Sequence, residues 1–173
     1  MLDNCCAFTG HRPHKLPWRY DETDSRCVAL KVALTGQITQ LVNVGVTAFY
    51  SGGADGVDCW ASLIVLELRQ KNPALKLHLI LPHEGQADRW SEPAQARYHW
   101  ILEQADSVEY VSQEYYEGCM LDRNHRLGET AGVLLAVYNG ERRGGTAATV
   151  RYARKLERKI ILLDPVSLKI AGE

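Results

Sequence analysis

The sequence carries almost no net charge: 20 Lys and Arg against 21 Asp and Glu leave a formal −1. A chain so balanced has no broad positive footprint. This argues against an extended polyanion or an anionic membrane surface as partner, while leaving room for a local basic pocket. Long apolar runs are also lacking. Val133 to Tyr138 and Ile160 to Leu163 are among the longest, and both are far too short to span a bilayer. The start, Met1-Leu2-Asp3-Asn4-Cys5-Cys6, has neither the basic segment nor the apolar core of a secretory signal. A cytoplasmic protein without membrane attachment is therefore expected. The five cysteines, at 5, 6, 27, 59 and 119, are odd in number and form no Cys-x-x-Cys pair, which argues against a disulfide framework or a Cys-rich zinc site. The histidines show no His-Glu-x-x-His spacing, so no metal is expected. Gly-Lys-Ser/Thr and Gly-x-Gly-x-x-Gly are both absent, which removes the Walker A loop and the standard dinucleotide fingerprint.

What is present is ordinary in bulk and specific in its loops. A length of 173 residues with 46% hydrophobic and 24% charged side chains suits one globular domain over 1–173. Short apolar runs read as six strands: Cys5 to Phe8, Val46 to Tyr50, Leu75 to Leu81, Ser107 to Val111, Val133 to Tyr138 and Lys159 to Leu163. Between them lie amphipathic stretches. Leu30, Leu34, Ile38 and Leu41 mark a helix over about 26–44. Val57, Trp60, Ala61, Ile64 and Leu68 mark a second, and Tyr98, Ile101, Leu102 and Ala105 a third. A shorter helix is expected over 119–129, and a fifth with Thr146, Val150, Ala153 and Leu156 on one face. Regular alternation of strand and helix predicts an α/β fold of three layers: a mostly parallel sheet of about six strands with helices on both faces. The tail after Pro165 reads as peripheral.

In such sheets ligands bind beyond the carboxyl ends of the strands. Three glycine-bearing turns fall there: Thr9-Gly10-His11-Arg12, Ser51-Gly52-Gly53-Ala54-Asp55-Gly56, and Asn139-Gly140 followed by Gly144-Gly145-Thr146. Glycine admits close backbone approach and positive φ, and helix N-termini offer free N–H groups to phosphate. Taken singly, each turn is equally well a tight turn or a helix cap. Together they point to a small phosphate-bearing ligand, with Ser51 and Thr146 adding hydroxyls.

Asp55 and Asp58 open the second helix, where a carboxylate caps the helix or accepts from a ribose hydroxyl. Arg12 and the pair Arg123-Asn124 stand near the same edge, and an arginine fork suits phosphate. A surface salt bridge is the other reading of Arg123, and a solvated tip that of Arg142 and Arg143. His11 and His83 fall in ligand-edge loops, whereas His78 and His99 fit structural places. Trp18, Trp90, Tyr115 and Tyr116 lie in or near these loops, where they stack on a base or pack beneath a loop.

The ordered set Thr-Gly-His-Arg-Pro (9–13), Ser-Gly-Gly-Ala-Asp-Gly-Val-Asp (51–58), Glu84-Gly85-Gln86 with Trp90, Arg-Asn (123–124) and Gly-Gly-Thr-Ala-Ala-Thr-Val (144–150) resembles the YpsA-like proteins. These belong to the SMF/DprA–LOG superfamily of Rossmann-like domains. The resemblance runs along nearly the whole chain. It implies a nucleotide or nucleotide-sugar ligand of the ADP-ribose kind, held by the three glycine turns, in a sensor or regulator. A role near cell division or stress has been proposed for some bacterial members, and a homo-oligomer is compatible with the family.

Two related enzyme groups, the LOG-type phosphoribohydrolases and the nucleoside deoxyribosyltransferases, place a catalytic Glu three residues after the Gly-Thr threonine. Here Thr146 is followed at that spacing by Thr149. A threonine hydroxyl supplies no charge to an oxocarbenium ion. Cleavage or transfer at an N-glycosidic bond is therefore the alternative expectation, with Asp58, Asp122 or Glu84 as the carboxylates within the loops. DprA-type proteins carry a segment similar to 51–58 and bind single-stranded DNA. This gives a second alternative that the near-neutral charge disfavours.

Overall fold

The computed structural model describes residues 2–173. In chain order it comprises β1 (Cys5–Gly10), α1 (Ser25–Asn43), β2 (Ala48–Ser51), α2 (Val57–Lys71), β3 (Lys76–Leu81) and α3 (Glu92–Gln104). Then follow β4 (Ser107–Tyr110), α4 (Cys119–Thr130), β5 (Val133–Val137), α5 (Gly145–Lys155), β6 (Lys159–Leu163) and β7 (Ile170–Gly172). All strands join one sheet in the order β4-β3-β2-β1-β5-β6-β7. Every pairing is parallel except β6 with β7.

The two faces of the sheet are separate apolar clusters, because side chains alternate along each strand. Phe8, Phe49, Leu77, Leu79, Leu81 and Leu135 pack with Leu30, Leu34, Trp60 and Ile101 of α1, α2 and α3. Ala7, Ile80, Leu134, Ala136 and Ile160 pack with Leu127, Val150 and Ala153 of α4 and α5. On the first face the Phe8 and Phe49 rings stack across neighbouring strands, with centroids 5.7 Å apart. α1 starts where Asp24 accepts from the Arg26 amide at 2.8 Å, an Asp N-cap serving one of the orphan donors.

This order sets the site. The chain winds outward from β1 to β4, then returns across the other face to lay β5 beside β1. The strand order reverses between β1 and β5, and the crevice of a doubly wound sheet opens at such a reversal. The His11 and Asn139 loops leave these two strands side by side.

The tail departs from expectation. Instead of lying loose, residues 170–172 form β7, antiparallel to β6, with Ile161 opposite Gly172. The turn is held by Asp164, whose Oδ1 accepts from the amides of Val166 (2.9 Å) and Ser167 (2.8 Å). A three-residue exposed strand buries no face, so it leaves no apolar alternation in the sequence. The second strand begins at Ala48 rather than Val46, because the Val46 amide closes the end of α1 on Leu41 O. Among the described residues no helix is long and apolar enough to cross a membrane.

Candidate functional site

A cavity of about 320 Å³ opens at the reversal between β1 and β5. Its walls come from four loops. The end of β1 supplies Thr9 to Arg12 with His14 and Lys15; the β2 loop and α2 supply Ala54 and Asp58; α4 supplies Met120, Arg123 and Asn124; and the start of α5 supplies Gly144, Gly145 and Thr146. Its volume lies at the low end of the range for small-molecule pockets.

The glycines divide by what they make room for. A Cβ on Gly10 would lie 2.5 Å from Val57 Cγ1, so this glycine lets α2 close onto β1. A Cβ on Gly52 would lie 2.5 Å from Arg123 Nη1 and 2.9 Å from Asp58 Oδ2. Gly53 has φ +64 and would press a Cβ to 2.7 Å from Leu81 Cδ2. Gly145 is different. Its φ is not positive, and a Cβ there would meet only Asn124 Nδ2, at 3.6 Å. The protein's own packing does not require a glycine at 145, and the missing side chain keeps the backbone bare towards the cavity.

Asp58 and Arg123 form the buried polar centre. Arg123 donates through Nη1 to Gly52 O and, at 3.4 Å, to Gln86 Oε1, and through Nε to Asn124 Oδ1 at 2.9 Å. It thereby ties α4 to the β2 loop. Asp58 Oδ2 accepts from the Ala54 amide at 3.2 Å, but Oδ1 is buried with no hydrogen-bond partner among the described residues. Burial pushes the Asp58 carboxyl above the usual carboxylate range, and the Arg123 charge pulls part of the way back. An orphaned carboxylate oxygen beside a cavity is costly unless something donates to it.

The α5 terminus forms the opposite wall. Gly144, at φ +103, stands at its N-cap with no side-chain cap, so the first amides of the helix have no partner within it. Lys15 lies over this turn: a Cβ on Gly144 would be 2.7 Å from its Nζ, which pairs with Glu141 at 3.0 Å. Among the described residues, the Arg12 side chain hydrogen-bonds only to Met120 Sδ, at 3.9 Å. His11 is buried, and its Nε2 accepts from the Asn139 amide at 3.2 Å, joining the β1 and β5 loops. Nδ1 then carries the proton of the neutral ring. Burial lowers the affinity of this imidazole for a second proton.

The structure thus gathers Thr9, Gly10, His11, Arg12, Asp58, Arg123, Asn124, Gly144, Gly145 and Thr146 around one cavity. It sets other candidates apart. Ser51 is fully buried behind the wall, where its hydroxyl accepts from the Gly53 amide and donates to Asp58 O, both at 3.2 Å. Gly52 and Gly53 stand behind the wall with it. Asp55 turns the other way, onto Arg97 Nη2 at 2.9 Å, and caps the Gly56 amide. The Asn139 side chain folds onto Glu141 instead. Arg142 faces a separate surface depression with Arg151 and Arg154, and Arg143 is exposed. Thr149 is fully buried, donating to Gly145 O at 2.9 Å. Asp122 is exposed and accepts from the Tyr116 hydroxyl.

Lys15, His14 and Met120 were not among the sequence candidates. The one available signal for the first two was their position in the longest irregular stretch, directly after β1. Among the described residues no cluster of three His, Cys, Asp or Glu side chains gathers as a metal-holding group.

Comparison with known proteins agrees with this architecture. Over 169 residues the chain is 30% identical to a UPF0398 protein of Halalkalibacterium halodurans, covering 94% of this chain and 89% of the relative. It is 32% identical over 152 residues to a UPF0398 protein of Bacillus thuringiensis, covering 86% and 82%. Among solved structures it superposes on DNA processing protein A (DprA) from Streptococcus pneumoniae with a TM-score of 0.60 at 15% identity. That match covers 94% of this chain but only 52% of DprA, and at such identity it speaks for the fold alone. Residues 6–166 match the YpsA family model, described as the YspA SLOG family, and the chain belongs to that family.

Proposed function

We propose that the chain is a cytoplasmic nucleotide or nucleotide-sugar binding protein, a ligand sensor or regulator whose site is the cavity between β1 and β5. The observation that carries this reading is the pairing of two unmet needs across about 320 Å³. On one wall are the uncapped amides of α5, beside Lys15 and Arg12, which suit phosphate. On the other is the buried, unpartnered Asp58 Oδ1, which suits a donor such as a ribose hydroxyl. A ribose phosphate carries both groups in one small molecule. Asn124 Nδ2 stands close to Gly145 and adds a donor near the phosphate.

The test is calorimetry with adenosine monophosphate, ADP-ribose and ribose 5-phosphate on the natural protein and on Gly145→Val. A valine there is expected to abolish binding while leaving the melting temperature nearly unchanged, since little else approaches residue 145. If no ligand of this class binds, or binding survives Gly145→Val, the reading fails.

One observation favours a second reading. Asp58 is a carboxyl group raised by burial and facing a cavity, as a general acid in N-glycosidic cleavage would be. In that case nucleoside monophosphates incubated with the protein release free base, and Asp58→Asn stops the release. Base release that persists in Asp58→Asn, or no release at all, removes this reading. An extended DNA partner is disfavoured by the balance of 20 basic and 21 acidic side chains.

A further inference from the structure

A second cavity, of about 400 Å³, adjoins the first at Arg12 and His14, which line both. Its other walls are Pro13, Tyr20, Asp55, Arg89, Trp90 and Ser91. Apart from Arg12, the residues assigned to ribose and phosphate do not line it, and its chemistry is different. Tyr20 is 67% exposed. Trp90 is half-buried and held edge-on by Tyr98, with centroids 5.2 Å apart and planes at 76°. The Tyr98 contact and the core fix the indole, which lines the cavity. Asp55 is anchored through Oδ1 by Arg97 and the Gly56 amide, which leaves Oδ2 available as an acceptor. Two aromatic side chains, a fixed carboxylate and the exposed Arg89 suit a flat, amphipathic group with polar edges.

Resting on the nucleotide reading above, we propose that this second cavity holds the nucleobase of the same ligand. The phosphate and ribose occupy the first cavity, the ligand passes Arg12, and the base stacks on Trp90 and Tyr20 with Asp55 accepting from an exocyclic amine. Arg12 suits the junction because, among the described residues, its guanidinium hydrogen-bonds only to a thioether sulfur, a weak acceptor, at 3.9 Å.

The experiment compares adenosine monophosphate with ribose 5-phosphate by calorimetry on the natural protein, Trp90→Ala and Tyr20→Ala. The base is expected to tighten binding to the natural protein. Each substitution should weaken adenosine monophosphate by roughly tenfold, the scale of one lost aromatic stack, and leave ribose 5-phosphate unchanged. Tyr20→Ala guards against misfolding, because the ring is mostly in solvent, and Trp90→Phe should restore most of the loss.

If adenosine monophosphate binds no better than ribose 5-phosphate, or both alanine variants keep full affinity, the base site is refuted while the phosphate site stands. If neither compound binds the natural protein, the nucleotide reading falls and takes this inference with it.

Discussion

Replacing Arg123 by methionine keeps a long side chain and removes the charge at the centre of the site. Three polar groups then lose a donor: Gly52 O, Gln86 Oε1 and Asn124 Oδ1. Gly52 O keeps the Gln86 amide at 3.3 Å, so it is not orphaned. The larger effect is on Asp58, which is buried with Oδ1 already unpartnered and loses its main countercharge. A buried polar group left without its compensating partner costs about 1–3 kcal/mol, and with Gly52 O still held by Gln86 the expected cost is about 3 kcal/mol.

In a chain of this length that corresponds to a fall in Tm of about 6–12 °C. Urea unfolding measures it directly, and the sign of its pH dependence is fixed. The folded carboxyl of Asp58 lies above its unfolded value, and losing Arg123 raises it further. Such a group adds stability below the unfolded value, about 4, and that stability is lost as pH rises through the folded value. The deficit of Arg123→Met should therefore be greatest at neutral pH and shrink on acidification. Adding Asp58→Asn should recover more than about 1 kcal/mol in a double-mutant cycle. A deficit under about 1 kcal/mol, a deficit flat in pH, or an additive cycle would refute the reasoning.

His11 should titrate below an ordinary histidine when followed by NMR, because burial outweighs the nearby Glu141 carboxylate. Its stabilisation is complete above about 6.5 and is lost as pH falls through the lower folded value; a value at or above the ordinary one refutes this. Gly53→Ala should cost about 1–3 kcal/mol in denaturant unfolding, since φ +64 and the close Leu81 methyl both oppose a side chain. Gly145→Ala should shift stability by under about 0.5 kcal/mol, and equal costs at the two positions would contradict the division drawn between them. Gly36 lies exposed in the middle of α1, and a methyl added there would have no atom within 4 Å. Gly36→Ala should therefore raise the urea midpoint, by a gain of about 0.5–1 kcal/mol, and an unchanged or lower midpoint sinks that expectation.

Much of the scaffold was legible in the residues. Near-continuous apolar runs such as Val133 to Val137 announce strands covered on both faces, and the Leu30-Leu34-Ile38-Leu41 spacing announces α1. The loops at the carboxyl ends followed from that alternation. The division of labour within them did not. Gly52 and Gly145 look alike in sequence, yet one makes space for a guanidinium 71 positions away and the other faces the cavity. Asp55 and Asp58 are three residues apart at one helix start, and only the folded structure, with Asp55 held by Arg97 and Asp58 by the Ala54 amide, shows that they line different cavities. Nothing in the sequence links Lys15 to its partner Glu141, 126 positions distant. Nothing marks β7 either, because three exposed residues carry no periodic pattern.

The placement of β1 beside β5 also governs how the molecule is made. His11 and Asn139, which meet across that junction, are 128 positions apart. During synthesis β1 to β4 and their three helices leave the ribosome first, and β1 then has one flank open, since its neighbour on that side is not yet translated. Long-range parallel pairing of this kind is slow, and an unpaired apolar strand invites association with other chains. The candidate cavity thus takes shape only once β5 and the start of α5 have been made, and a chain truncated before β5 would retain its longest helices while lacking the α5 wall.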